Sequence, residues 1–290
     1  MQKLNILLNG LGKMNCANVS RLQSDKSISA DIKFVASVDP NPNFSNPTIE
    51  NIANSLISSG MIMAKSMDEL VLDDIFHKEI PKYVIDFSSE NGCVKGVTKA
   101  LEYNFNVISG STPISKNNEE LIKNKIIEAK VKGIRCDNFS PHVTKFLHNI
   151  SEVANTIEEE DDIAIVESHR MEKPTTSGTA QLIARVICQT TPKVGYILLN
   201  ERKAFDGSGD EIVMPSGRSM KSYVKISAIR FADEPGTHTL MIGDEDNHRQ
   251  FSVRATRHSL AEGVYRSLKF LVGVEQSGLY SFREDVLKLR

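Results

Sequence analysis

The chain has 290 residues, 40% of them hydrophobic and 25% charged, enough for one large packed domain or two smaller ones, of which two is the expectation. A formal net charge of −2 supplies no global basic field, which argues against nucleic acid or an anionic membrane as partner and leaves small molecules as the expected ligands. Cys16, Cys93, Cys136 and Cys188 form no CxxC pair and no HExxH accompanies the seven histidines, so neither a disulfide framework nor a metal site is indicated.

Met1-Gln2-Lys3 runs into a strand without a signal-type apolar core, and no apolar stretch has the length of a membrane span, so a cytoplasmic protein is expected. Leu4 to Asn9 reads as a short apolar strand. The turn Gly10, Leu11, Gly12, Lys13, Met14 then opens a helix running through Leu22. Glycine in such a turn lets a phosphate approach the backbone, while the helix N-terminus stabilises its charge. The third glycine of the dinucleotide fingerprint is absent, with Asn15 in the neighbourhood where it would stand. Ile32 to Val38 is the next strand and ends at Asp39, placed to accept hydrogen bonds from ribose hydroxyls. That favours NADH over NADPH, although Lys13 offers a charge for a 2′-phosphate.

Residues 40–60 are rich in Asn, Pro and Ser and read as a loop with room for one helix. A strand over 83–88, a helix over 92–103, a strand over 106–109, a helix over 117–132 and a strand over 134–138 follow. Strands alternating with helices predict a doubly wound, Rossmann-like parallel sheet in an α/β N-terminal domain. Asp39, Ser88, Gly110 and Asn138 then share its carboxyl edge, where such sheets bind ligands. After a helix over 142–157 and the solvated acidic run Glu158 to Asp162, Ile163 to Val166 reads as a buried strand that delivers His169 to its end. Ser177 is a candidate N-cap of the helix that follows. The N–H groups near Gly178 and Thr179 suit an anion, His169 a proton transfer, and Lys173 the holding of negative charge. Beyond Val194 the segments 194–199, 223–231, 237–242 and 250–256 alternate like strands, predicting a C-terminal α+β domain with a mixed or antiparallel sheet. A last amphipathic helix spans about 260–272. The expected division is 1–138 with 258–290 for the dinucleotide, and 139–257 for substrate binding and oligomerisation.

Six blocks occur in order: the glycine turn, Val84-Ile85-Asp86-Phe87-Ser88, Gly110-Ser111-Thr112, Asp137-Asn138-Phe139-Ser140, Glu167 through Thr179, and Gly236-Thr237-His238-Thr239 leading to Arg257 and Gly278-Leu279-Tyr280. In this ordered set the chain resembles the dihydrodipicolinate reductase family, the 4-hydroxy-tetrahydrodipicolinate reductases of bacterial and plant lysine synthesis. The resemblance implies that His169 is the acid/base residue, Lys173 a second proton donor, and Gly178 and Thr179 carboxylate binders. It also implies that Gly10 to Met14, Asp39, Gly110, Ser111, Thr112, Cys136, Asp137, Asn138 and Phe139 line a site for NADH or NADPH, and that the protein is a homotetramer acting on a dicarboxylate.

Where the family usually reads His-His-Arg-His-Lys and then Val-Asp-Ala-Pro-Ser-Gly-Thr, this chain has His169-Arg170-Met171-Glu172-Lys173 and one residue fewer before Ser177. Arg170 can still grip a carboxylate through its planar fork. Glu172 stands where the family carries a base; it would weaken dicarboxylate binding, raise a neighbouring cation's pKa, or face solvent. Asn15 and Pro113 also replace glycines common in the family. Two other readings stay open here: a related NAD(P)-dependent enzyme acting on another amino-acid-derived imine, and a non-catalytic dinucleotide-binding protein.

Overall fold

The computed structural model describes residues 4–24, 32–70 and 80–289, so Met1-Gln2-Lys3 lies outside it. The chain divides into two compact units, Met1–Phe139 with Arg257–Arg290, and Ser140–Thr256.

In the first unit, β1 (Leu4–Asn9), β2 (Ile32–Val38), β3 (Ile62–Ala64), β4 (Tyr83–Asp86), β5 (Asn106–Ser109), β6 (Lys132–Arg135) and the chain's last strand β14 (Gly278–Tyr280) form one sheet in the order β14-β6-β5-β4-β1-β2-β3. Every neighbouring pair runs parallel. Successive side chains on a strand point to opposite faces, so a near-continuous apolar strand needs a helical layer on each. On one face, α1 (Lys13–Ser24), α2 (Pro47–Ser58) and α8 (Arg257–Gly273) bring Val19, Leu22, Leu56 and Leu268 onto Ile6, Leu8, Ile85 and Ile108. On the other, α3 (Met67–Leu70), α4 (Glu90–Glu102) and α5 (Lys116–Glu128) set Leu70, Val97, Ile122 and Ile126 against Leu7, Val84 and Val107. The Asn/Pro/Ser-rich stretch holds α2. Its start is set by Asn46, whose side chain accepts from the Thr48 and Ile49 N–H groups, with Pro47 at the first helical position. The Gly278-Leu279-Tyr280 tail, unassigned by pattern, adds an edge strand to β6.

The second unit contains β7 (Asp162–His169), β8 (Gly195–Leu198), β9 (Lys203–Asp206), β10 (Glu211–Ile212), β11 (Tyr223–Arg230), β12 (Thr237–Gly243) and β13 (His248–Arg254), in the order β10-β9-β8-β11-β7-β12-β13. The sheet is mixed: β11 runs parallel to both β7 and β8, and the other pairs are antiparallel. The helices α6 (Pro141–Ala154) and α7 (Gly178–Thr190) cover one face, where Ile150, Ala180, Ile183 and Ile187 pack on Ile163, Ile165, Val224, Ile226, Leu240 and Ile242. The segment Asp206-Gly207-Ser208-Gly209, which pattern reads as punctuation only, is the turn between the short strands β9 and β10. Asp206 Oδ1 closes it by accepting from the Ser208, Gly209 and Asp210 N–H groups.

One close approach holds α8 on its unit. A Cβ added at Gly263 would coincide with the backbone carbonyl oxygen of Phe139 and crowd the Phe282 ring. Backbone cannot step aside as a side-chain tip can, so Gly263→Ala should cost about 1–3 kcal/mol of stability. Urea unfolding checks this, and an unchanged midpoint would contradict the packing described.

Candidate active site

The first unit gathers the N-terminal site residues on the carboxyl edge of its sheet. Gly10 has φ +84°, a left-handed conformation that its own lack of a side chain makes cheap, and the Leu11 N–H that follows donates to Asp39 Oδ2 at 2.7 Å. Asp39 Oδ1 accepts the Asn41 N–H at 2.9 Å, so this carboxylate ties the end of β2 to the glycine turn. Asn15 explains the missing glycine. Fully buried, it donates from Nδ2 to the Gly10 carbonyl at 2.6 Å and to the Asn9 carbonyl at 3.2 Å, and its Oδ1 accepts from Asn18 at 3.0 Å. Its side chain staples the turn to the end of β1. At Gly12 nothing lies within 4 Å of where a Cβ would stand, and Lys13 is exposed.

Beside the turn, the buried Asp86 carboxylate accepts from Asn9 Nδ2 (2.8 Å), Ser88 Oγ (2.6 Å), Ser109 Oγ (2.7 Å) and Ser111 Oγ (2.9 Å). That network fixes the ends of β1, β4 and β5, and with them the Gly110-Ser111-Thr112 loop. Arg135, whose side chain is buried, holds the Ser111 carbonyl at 3.0 Å and Asp137 at 2.9 Å. Leu11 and Phe139 are fully buried, so both pack into the core beneath this edge. Cys136 donates from Sγ to the Asn138 carbonyl at 3.1 Å, and burial pushes its thiol up to about 12, leaving it an inert hydrogen-bonding group.

The second unit carries the ionisable cluster. On β7 the side chains of Ile163, Ile165, Glu167 and His169 share a face by strand alternation; the first three are buried and His169 is largely so. On β12, His238, Leu240 and Ile242 do the same, and on β11, Val224, Ile226, Ala228 and Arg230. The register pairs His238 with Glu167 and Arg230 with His169. Four ionisable groups therefore occupy the positions where the apolar face would have continued. An unpaired carboxylate there would cost several kcal/mol. Glu167 is compensated by Arg230 Nη1 at 3.0 Å and the Ser177 N–H at 3.3 Å on Oε1, while Oε2 stands 3.3 Å from His169 Nε2.

Ser177 is the N-cap of α7, its hydroxyl accepting from the Thr179 N–H at 3.1 Å and lying 2.9 Å from His238 Nε2. His238 Nδ1 is buried with no hydrogen-bond partner in the protein. Gly178 is exposed, with open space at its Cβ position, so the helix end has a free approach. Gly236, at φ +151°, lets the chain pass His169 closely: a Cβ there would stand 2.6 Å from the ring's Cε1. Glu172 is exposed and 3.8 Å from Arg170, so of the three effects open to it the structure selects solvent exposure.

Burial and three cations set the protonation of this cluster. His169 is pushed down to about 4, by burial first and then by Lys173, Arg230 and Arg170. His238 is pushed down to about 3, by burial first and then by His169 and Lys173. Burial also lowers Lys173 and raises Glu167, the latter against the pull of Arg230. Glu167, His169 and His238 offer donor atoms within 4.8 Å of one another. Burial and the positive field, which disfavour an imidazolium, also disfavour a bound cation at these donors.

Models of the dihydrodipicolinate reductase N-terminus and C-terminus match residues 4–139 and 143–287. The chain belongs to the dihydrodipicolinate reductase family. It is 25% identical over 287 residues to the 4-hydroxy-tetrahydrodipicolinate reductase of Methanosarcina mazei, covering 98% of each chain, and 27% identical over 281 residues to that of Methanococcus aeolicus, covering 96% of each. Among solved structures, its fold is similar to the dipicolinate-bound dihydrodipicolinate reductase from Paenisporosarcina sp. TG-14, with TM-score 0.66, 17% identity, and 97% and 98% of the two chains covered. A probable dehydrogenase from Thermotoga maritima aligns with TM-score 0.57 at 14% identity, over 98% and 93% of the chains. Family membership makes the chain an oxidoreductase with a nicotinamide dinucleotide cofactor. The first unit fits that group: the open space at Gly12 and the start of α1 beside Asp39 are what a diphosphate and a ribose need.

Both depressed histidines bear on stability. The folded state keeps them neutral to about 4 and 3, whereas the unfolded chain protonates them near 6.5, the ordinary value of a histidine side chain. Stability from their burial is complete above about pH 6.5 and is lost as pH falls through that value toward 4. Thermal unfolding should therefore show a smaller drop in midpoint between pH 7 and pH 4.5 for His238→Gln than for the parent. Equal drops would contradict the burial of a neutral His238.

Proposed function

We propose that the chain reduces dihydrodipicolinate, formed from 4-hydroxy-tetrahydrodipicolinate, to tetrahydrodipicolinate, a step in the synthesis of diaminopimelate and lysine. The observation that carries this reading, beside the family, is an imidazole at a strand end, backed at 3.3 Å by a buried carboxylate and set beside the capped, open N-terminus of a 13-residue helix. NADH or NADPH, when bound along Gly10 to Met14, Asp39, Gly110 to Thr112 and Cys136 to Phe139, supplies the hydride. Asp39 carries negative charge where a 2′-phosphate would add more, which favours NADH.

The remaining work falls to side chains of the second unit. Arg170 and the helix start at Gly178 and Thr179 hold the substrate's carboxylates, as cations and helix N-termini do. Addition of hydride to a conjugated imine builds negative charge that a nearby cation and proton donor stabilise more in the transition state than in the ground state. Lys173 fits that task, since burial has already made its ammonium a better acid than a lysine in water. His169 is neutral at pH 7 without substrate, held so by burial and the cations around it. A bound dicarboxylate cancels part of that positive field and draws the imidazole's pKa upward, so His169 takes up a proton more readily when the substrate is present.

The other face of the second sheet, with Ala164, Val166, Ser168, Lys225, Ser227 and Ile229 partly exposed, suits contact between copies of the chain. We read it as the face through which a homotetramer forms, and residence in the cytoplasm goes with the biosynthetic role. Light scattering should give a solution mass of four chains, and a monomer would remove this part.

Consumption of NADH and NADPH with freshly generated dihydrodipicolinate tests the function. Turnover is expected with both, with the higher kcat/KM for NADH. His169→Gln should lower kcat about 10²-fold with a smaller change in KM, the usual scale for a lost acid–base group. A variant with parent turnover would remove His169 from the chemistry, and no oxidation of either nucleotide would remove the function.

A further inference from the structure

Arg230 is absent from every motif above, yet it bonds both the carboxylate behind His169 and the backbone of Lys173. It closes β11, directly across from His169 on the parallel neighbour β7. Its Nη1 donates to Glu167 Oε1 at 3.0 Å and to the Ile229 carbonyl at 2.9 Å. Its Nε donates to the Lys173 carbonyl at 2.7 Å, and its Nη2 to the Thr175 carbonyl at 2.8 Å. A guanidinium has five N–H donors in one rigid plane, and here four are spent inside the chain. Almost no donor is left for a substrate, and the arrangement is that of a brace.

The brace joins two things that backbone pairing does not. Residues 170–176 leave the sheet between β7 and α7, and the residues on either side of Pro174 are the ones whose carbonyls Arg230 takes. The same plane holds the carboxylate that stands behind His169. We propose that Arg230 is the positioning residue of the His169/Lys173 pair, fixing the Glu167 carboxylate behind the imidazole and the Lys173 backbone in one rigid fork. The inference rests on the reading of His169 and Lys173 as the groups that handle the proton. The proposal stands on these four hydrogen bonds, and the charge effects agree: Arg230 pulls down both Glu167 and His169.

Two variants separate the fork from the charge. Arg230→Gln loses both. Its kcat should fall about 10²-fold, the scale of an ångström-sized misplacement, with a smaller change in substrate KM. The limb of its pH–rate profile that reports the Glu167/His169 pair should move to higher pH, because the cation that lowers both groups is gone. Arg230→Lys keeps the charge but cannot span the four acceptors from a point ammonium. It should leave that limb in place while kcat stays at least tenfold below the parent. Thermal midpoints give the folded fraction to which each kcat is referred. A role confined to stability predicts parent kcat per folded molecule and an unmoved limb in both variants, and that result overturns the proposal. If Arg230→Gln does not fold, Arg230→Lys decides: reduced kcat with an unmoved limb supports the fork, and parent kcat overturns it. His169→Gln is run beside them. Parent turnover in His169→Gln would overturn the underlying reading; a silent His169→Gln with a fully active Arg230→Gln would overturn the positioning role alone.

Discussion

The second unit depends on a single buried carboxylate. Glu167 occupies a strand position whose alternation, through Ile163 and Ile165, calls for an apolar side chain, and it has no exposure at all. Its charge is tolerable because Arg230 and the Ser177 N–H converge on its Oε1 from β11 and the start of α7, while the His169 ring of its own strand stands 3.3 Å from Oε2. Three separate stretches of chain are thereby drawn to one point. The ionisable groups of the cluster are held there by the compensation that burial demands.

The first unit applies the same device to a neutral purpose. Asp86 is buried at the ends of three parallel strands and is matched by the Asn9 amide, three serine hydroxyls and the Ser88 N–H. Asn15 does for the glycine turn what a third glycine does elsewhere by its absence of side chain: it keeps α1 and the end of β1 in a fixed relation, here through hydrogen bonds to the carbonyls of residues 9 and 10. The turn keeps its open space at Gly12. Departure from the usual fingerprint is thus compatible with the same architecture.

Much of this could be read from the sequence, because its signals are local. Apolar runs of four to seven residues separated by helical periods gave the parallel sheet, and Ser177 announced the start of α7. The strand end at His169 followed from the run before it. Less legible were the features that depend on partners distant in sequence. Arg230 lies 63 residues from Glu167 and sits in a segment that reads as ordinary alternating strand. His238 was visible only as part of a block, and its burial against Ser177 depends on the register of β12 on β7. Glu167 carried one overlooked sign: a charged residue in phase with buried isoleucines. The short strands β9 and β10 and the edge strand β14 have too few residues for alternation to mark them.

The central claim is that His169 is a neutral imidazole under a cationic field, which a dicarboxylate relieves. Nitrogen-15 NMR of the histidine side chains, from pH 3.5 to 8 with and without pyridine-2,6-dicarboxylate, measures this directly. The account predicts a His169 that stays neutral down to about pH 4 in the free protein and titrates at clearly higher pH with the dicarboxylate bound. A His169 titrating near 6.5 in both conditions would contradict it.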